Sequence, residues 1–196
     1  MNERKFLMLS EEELERLYEV HMRRDFPADE LKPLSALLAM MGRGEYEPYG
    51  LFQDGELLAY ALYWRAPGKR YVMLDYFAVM PEIRNQGTGS ELLRDMLERF
   101  CKDGGGVFGE VEIPETGDET VDTLRRRRLG FYARAGLRQM GFRTCIFGVP
   151  YLVLAYGPKI SDEALMEVTR KLYREAFPDK SFYAKHVIIP WEGGVK

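Results

Sequence analysis

The spacing of apolar side chains changes repeatedly along the chain, and each change marks a predicted element. Phe6 to Leu9 is a short apolar run that predicts a first strand. Ser10-x-x-Glu13 follows as a capping box, in which a hydroxyl and a carboxylate reciprocally satisfy free N–H groups at a helix start. Leu14, Leu17, Tyr18 and His21 then fall at i, i+3, i+4 and i+7, one helix face, and Pro27 stops that helix. A second helical pattern runs from Leu34 to Met41 and ends at Gly42. Between Tyr49 and Trp64 the pattern is strand-like on both sides of Asp54-Gly55, a pair that supplies the positive φ angles of a two-residue hairpin. Pro67-Gly68-Lys69 turns the chain into a further strand, Tyr71 to Val79.

Pro81 ends that strand, and a polar loop leads to a helix from about Gly87 to Cys101. Leu92, Leu93, Met96, Leu97 and Phe100 make its apolar stripe. Gly104-Gly105-Gly106 breaks the chain before a strand, Val107 to Ile113, and Pro114 to Glu119 reads as loop. A basic helix covers about Val121 to Ala135, closed by Gly136. Two strands near Arg143–Phe147 and Tyr151–Tyr156 are joined at Gly148-Val149-Pro150. Beyond Gly157-Pro158 comes a helix opened by Ser161, with Asp162 and Glu163 in its first turn, and stopped by Pro178. With no repeat and no long linker, the pattern predicts one α/β domain, residues 1–157, with residues 158–196 as a helical extension packed on it.

Composition narrows the class. Aromatic residues reach 13% and no long charge block occurs, which excludes a disordered chain. The 28 basic and 31 acidic side chains leave a net charge of −3, so nothing draws the protein generally to nucleic acid or an anionic membrane. Two cysteines, Cys101 and Cys145, make no disulfide scaffold and point to a reduced, cytoplasmic setting. They read as small buried hydrophobes. His21 and His186 are too few for most histidine-based metal clusters, so no metal is expected. His21 reads as a satisfied core or cleft-lining side chain. Phe6 to Leu9 is too short for the apolar region of a signal peptide, and Pro150 interrupts the longest apolar run, Ile146 to Gly157. The expectation is a soluble protein.

The chemistry concentrates in Leu74 to Leu93, which reads strand, proline-stopped turn, Arg84-x-x-Gly87-x-Gly89, then amphipathic helix. Glycines there allow close backbone approach, and the free N–H groups of the first helical turn suit a phosphate or pyrophosphate. The Lys-Ser/Thr ending of a nucleoside-triphosphate loop is missing, as is a three-glycine dinucleotide fingerprint. Val79-Met80-Pro81 followed by Arg84-Asn85-Gln86-Gly87-Thr88-Gly89 resembles the core signature of the GNAT superfamily of N-acetyltransferases. Phe131-Tyr132-Ala133-Arg134-Ala135-Gly136-Leu137 is similar to that family's Phe-Tyr-x-x-x-Gly-Phe element. The resemblance spans about Phe6 to Tyr156.

What the resemblance implies is specific. The fold would be a mixed, largely antiparallel central sheet flanked by helices. The activity would be transfer of an acetyl group from acetyl-CoA to a primary amine, by direct attack in a ternary complex. Backbone N–H groups of Arg84, Asn85, Gln86, Gly87, Thr88, Gly89 and Ser90 would hold the CoA pyrophosphate. The backbone of Phe77 and Val79 would pair with the pantetheine arm, and Tyr132 would be the general acid that protonates the departing sulfur. A phenol with a pKa of about 10 keeps its proton at neutral pH and suits that task. The base is carried by Glu112 or Glu110, or by Asp75, which alternation puts on the Val79 face of its strand. Each of these carboxylates could instead pair with the basic helix, where Arg127 or Arg128 would fix a carboxylate of the Val107–Ile113 strand; for the run Arg125 to Arg128 a solvated helix face is the plainer account. The segment Asp25 to Pro33 would form an acceptor wall, with Asp25 and Glu30 suited to a cationic amine or else solvated loop charges. The acceptor would be a small molecule or a peptide and the assembly a monomer or homodimer. A non-catalytic acyl-CoA-binding or interaction protein on the same scaffold is the alternative.

Overall fold

The computed structural model describes residues 3–28, 30–65, 68 and 70–193. The fold is mixed α/β, with its strands mostly antiparallel, and its residues group into two compact units. The first comprises Met1–Pro67 and Leu74–Asp95, the second Gly68–Met73 and Met96–Lys196. Residues 158–196 therefore fall in the second unit. Of the turn expected at Pro67-Gly68-Lys69, Gly68 takes a φ of 69°, and Pro67 and Lys69 lie outside the described residues.

In the first unit β1 (Lys5–Met8) pairs antiparallel with β2 (Tyr46–Gln53), and β2 with β3 (Glu56–Arg65). The hairpin between β2 and β3 turns on Asp54 and Gly55, with φ angles of 53° and 85°. Strand β4 (Tyr71–Val79) lies beside β3, with the Met80 N–H donating to the Leu58 carbonyl just past its end. Ser10 caps α1 (Glu11–Leu17) in the expected reciprocal box with Glu13. The helix continues as a π-helical turn, Tyr18–Met22, and closes as α2 (Arg23–Asp25), before Pro27. Helix α3 (Leu34–Gly42) follows, and Leu14, Met22 and Leu37 are fully buried in the core. The first turns of α4 (Thr88–Cys101) complete this unit, with Leu92 and Leu93 buried.

In the second unit the order is β4, β5 (Gly106–Glu112), β7 (Val149–Tyr156), β6 (Arg138–Ile146) and β8 (Val187–Ile188). Gly106 N–H meets the Arg70 carbonyl at 3.1 Å, and β7 pairs antiparallel with both β5 and β6. Helix α5 (Glu119–Arg134) starts at the Asp118 N-cap, and α6 (Asp162–Ala176) starts at Ser161. Helix α6 is tied to β6 by the Gly141 N–H, which donates to Asp162 Oδ1 at 3.1 Å.

The structure departs locally from the sequence reading. Strand β6 begins at Arg138 rather than near Arg143, and its register against β7 shifts between Gln139 and Arg143. The β6–β7 turn sits on Phe147-Gly148 (φ 50° and 83°), one step before the expected join, and Pro150 pairs with Cys145 inside β7. Beyond Pro178 the chain forms α7 (Lys180–His186), capped by Asp179, and then β8; neither was expected, being seven and two residues long. Cys145 is buried as expected, whereas Cys101 is only half-buried.

The capping box yields a test of local structure. Ser10→Ala should lower the stability of the chain by about 1 kcal/mol in urea unfolding. Glu13→Ala added to it should cost less than Glu13→Ala alone, because the two side chains act as one reciprocal unit.

Candidate active site

The loop ahead of α4 is shaped by two left-handed residues, Asn85 at φ 66° and Gly87 at φ 87°. Gly87 has open space where a side chain would stand, so its role is conformational. The first helical hydrogen bond in this turn runs from the Glu91 N–H to the Gly87 carbonyl at 3.0 Å. The N–H groups of Thr88, Gly89 and Ser90 precede it and gain no partner from the helix itself. Thr88 is 1% exposed, and its Oγ1 is buried with no hydrogen-bond partner. Thr88, Gly89 and Ser90 thus open a 14-residue helix whose dipole favours an anion at this end.

Arg84 holds the other end of the loop. Its Nε donates to the Val79 carbonyl at 3.0 Å, which ties the loop back to the last residue of β4. Its second guanidinium nitrogen lies 3.5 Å from Asp25 Oδ1, and Tyr60 and Arg24 donate to the same carboxylate at 2.9 and 3.0 Å. Asp25 is consequently 5% exposed and engaged with its neighbours, which corrects the picture of a solvated loop charge. Burial, then the hydrogen bond to Asp25, push the Tyr60 phenol far above its ordinary value. His21, one turn before Asp25, has a buried Nδ1 with no partner, where the sequence suggested a satisfied ring. Burial first and Arg24 second lower its pKa.

Asp75, Phe77 and Val79 share the half-buried face of β4, while Tyr76, Ala78 and Met80 are buried. Asp75 does not stand alone. The Lys32 ammonium donates to its two oxygens at 2.8 and 2.7 Å, and the Tyr46 hydroxyl to Oδ2 at 2.5 Å. Burial and the Asp75 charge hold the Tyr46 phenol well above its ordinary range.

In the second unit, Tyr132 lies in the last turns of α5, half-buried, with Phe131 edge-on at 5.1 Å between ring centroids. Burial pushes its phenol up to about 12, opposed by the positive charge of Arg128. Glu112, near the end of β5, is met by guanidinium groups on both oxygens, Arg125 on Oε1 and Arg128 on Oε2. Arg125 also donates to the Ile113 carbonyl at 2.8 Å. Of the two expected partners Arg128 is used, and the other is Arg125, three residues earlier on the same helix face. Glu110 Oε1 accepts from the Thr144 hydroxyl and Oε2 from the Tyr173 hydroxyl.

Phe77, Val79 and the 84–90 loop thus fall within the first unit, where Arg84 joins the loop to Val79, and Glu110, Glu112 and Tyr132 fall within the second. Sequence reasoning missed Lys32, for which no motif spoke. It also missed the Asp25–Arg84 link, although Arg84 was visible in the loop signature. Among the described residues no group of three or more His, Cys, Asp and Glu side chains is arranged to hold a metal ion. Among them, too, no helix is long and apolar enough to cross a membrane.

Comparison with known proteins converges on one family. The family model described as the acetyltransferase (GNAT) family matches residues 13–137, which include the loop, Asp75, both β5 glutamates and Tyr132. A GNAT-family protein from Bacteroides thetaiotaomicron shares the fold with a TM-score of 0.70 at 20% identity, over 90% of this chain and 99% of that one. The ribosomal-protein-S18-alanine N-acetyltransferase of Escherichia coli gives 0.59 at 17%, over 81% and 96% of the two chains. A dodecameric spermidine N-acetyltransferase from Vibrio cholerae gives 0.58 at 9%, over 78% and 92%. At such identities these likenesses speak for the fold. No curated protein matches the chain in sequence. With the family model covering well over half of its residues, the chain belongs to the GNAT acetyltransferases.

Proposed function

We propose that the protein transfers the acetyl group of acetyl-CoA to a primary amine of a small molecule or peptide, by direct attack within a ternary complex. The observation that carries this reading is the loop of residues 84–90, with its left-handed Asn85 and Gly87 leading into the helix start at Thr88, Gly89 and Ser90. A pyrophosphate is the ligand such a helix start suits. The orphaned Thr88 Oγ1 at the same position adds a polar group in need of a partner.

Acetyl-CoA supplies an activated thioester carbonyl. The backbone of Phe77 and Val79, at the end of β4, lines the pantetheine arm in this reading, and an N–H group there stabilises the negative charge that grows on the carbonyl oxygen. Preorganised donors of this kind give the largest single contribution to many acyl transfers. Arg84 supports them by occupying the Val79 carbonyl and fixing the turn. Tyr132 protonates the departing sulfur; with its phenol held up to about 12, it keeps that proton throughout the working pH range.

The acceptor must lose a proton before its nitrogen attacks. Glu112 faces a guanidinium on each oxygen, whereas the Glu110 oxygens accept from the hydroxyls of Thr144 and Tyr173. We assign the base role to Glu112 or Glu110, ahead of Asp75. Asp75 is held by Lys32 and Tyr46. The protein acts as a monomer or homodimer in the cytoplasm in this reading. Its free cysteines suit a reduced setting, with burial raising both thiols.

Acetyl-CoA at saturation should raise the melting temperature, and a release assay for free CoA over a panel of amines should identify the acceptor. Coenzyme binding with no turnover on any amine would instead make the protein a non-catalytic acyl-CoA binder. Tyr132→Phe should reduce kcat by about 10²–10⁴-fold with coenzyme binding retained. Wild-type turnover should show no loss assignable to this phenol up to pH 10. An unchanged kcat in Tyr132→Phe would remove the general-acid role.

A further inference from the structure

We propose that Tyr46, Trp64, Asp75 and Tyr76 form a recognition cage for a protonated amino group of the acceptor, and that the ammonium of Lys32 occupies it until the acceptor arrives. The inference rests on the acetyl-transfer reading and extends it to the class of acceptor.

The cage is built wholly from strands of the first unit. Tyr46 begins β2, Trp64 is its register partner on β3, and Asp75 and Tyr76 lie on β4. The rings are almost fully buried, with exposures of 0% for Tyr46, 2% for Trp64 and 4% for Tyr76. The Lys32 nitrogen stands 5.0 Å from the Trp64 ring centroid and 5.4 Å from that of Tyr76, with both Asp75 oxygens inside 3 Å. Ring faces and a carboxylate around one nitrogen are what an alkylammonium ion requires, since each ring offers its negative face and the carboxylate its charge. The Tyr46 hydroxyl, donating to Asp75, holds that carboxylate in place.

Lys32 itself belongs to none of these strands. It comes from the segment between α2 and α3, and its side chain keeps 24% exposure while that of Asp75 keeps 9%. Its main chain is fastened separately. The Lys32 N–H donates to the Tyr76 hydroxyl, that hydroxyl donates to the Glu30 carbonyl, and the Tyr18 hydroxyl donates to the Lys32 carbonyl. The ammonium is therefore not what anchors the segment. Beyond its Cα a lysine side chain is an n-butylammonium ion, so a ligand that ends in a primary alkylammonium can take its place group for group.

Position along β4 then limits the acceptor. Asp75 shares its face with Phe77 and Val79, about 7 and 13 Å along the strand at the usual rise per residue. An amine in the cage is protonated and has no lone pair, so it is not the nitrogen that attacks. The acceptor consequently carries two amino groups joined by a flexible chain, one charged and caged, the other free to react near the end of β4. An aliphatic diamine or longer polyamine is the class that fits.

The test uses the full chain. Lys32→Ala leaves Asp75 uncompensated and should melt below wild type. Adding n-butylammonium chloride should restore that melting temperature dose by dose, whereas sodium chloride at equal ionic strength should not. Wild type, with its cage filled, and Lys32→Ala/Asp75→Asn, with its carboxylate gone, should not respond. An equal response in all three proteins, or none in Lys32→Ala, overturns the proposal. In acetyl transfer, Lys32→Ala should lower KM for 1,4-diaminobutane about tenfold, a difference of about 1.4 kcal/mol, with KM for n-butylamine unchanged. Asp75→Asn alone should raise KM for the diamine and leave kcat in place; a fall in kcat for both amines would make Asp75 a base instead. If n-butylammonium restores Lys32→Ala while no amine is acetylated, the cage stands and the acetyl-transfer reading falls.

Discussion

A helix cannot satisfy its own first N–H groups, and in this chain that constraint falls at the most consequential place. Helix α4 opens directly after a strand that Pro81 stops, through a turn that Asn85 and Gly87 hold in the left-handed region. In α1 and α6 the Ser10 and Ser161 side chains accept from N–H groups of the first helical turn. Helix α4 instead follows a left-handed glycine, Gly87. That turn, with the buried and unpartnered Thr88 Oγ1 beside it, is the physical ground for reading 84–90 as a binding loop.

Burial imposes the second pattern. A carboxylate withdrawn from water must find donors, and each carboxylate considered for catalysis has found them: Asp75 in Lys32 and Tyr46, Glu112 in two arginines, Glu110 in two hydroxyls. The kind of donor differs among them. Arg125 and Arg128 on Glu112 tie α5 to β5. Lys32, on Asp75, is a single flexible ammonium that can leave by rotating its own side chain.

Much of the fold was legible because its signals are local. The capping box, the Asp54-Gly55 hairpin and the β4 strand, Tyr71 to Val79, each follow from residues adjacent in sequence, and the loop signature lies in a single stretch. Partner identity was not legible, since it depends on which faces meet. Arg125 joins Arg128 at Glu112 because a spacing of three puts both on one side of α5, a signal the sequence did contain. Lys32 carried no such signal: it is a lysine in a loop, and only the placing of β3 between β2 and β4 brings Tyr46, Trp64 and Asp75 to meet it. The shift within β6 was hidden for a related reason, because register depends on how β6 meets β7 and not on the sequence of β6 alone.

The same logic links the loop to the segment before it. Arg84 is the first residue of the turn, and its guanidinium reaches the Val79 carbonyl and Asp25. An arginine so placed contributes rigidity to the turn. Asp25, held also by Tyr60 and Arg24, ends the helical segment that begins at the Ser10 capping box. Rigidity of the 84–90 loop is thus inherited from the packing of the first helix on β3. Lys32, a flexible side chain over acidic and aromatic groups, is different in kind: it is positioned to move where Arg84 is positioned to stay.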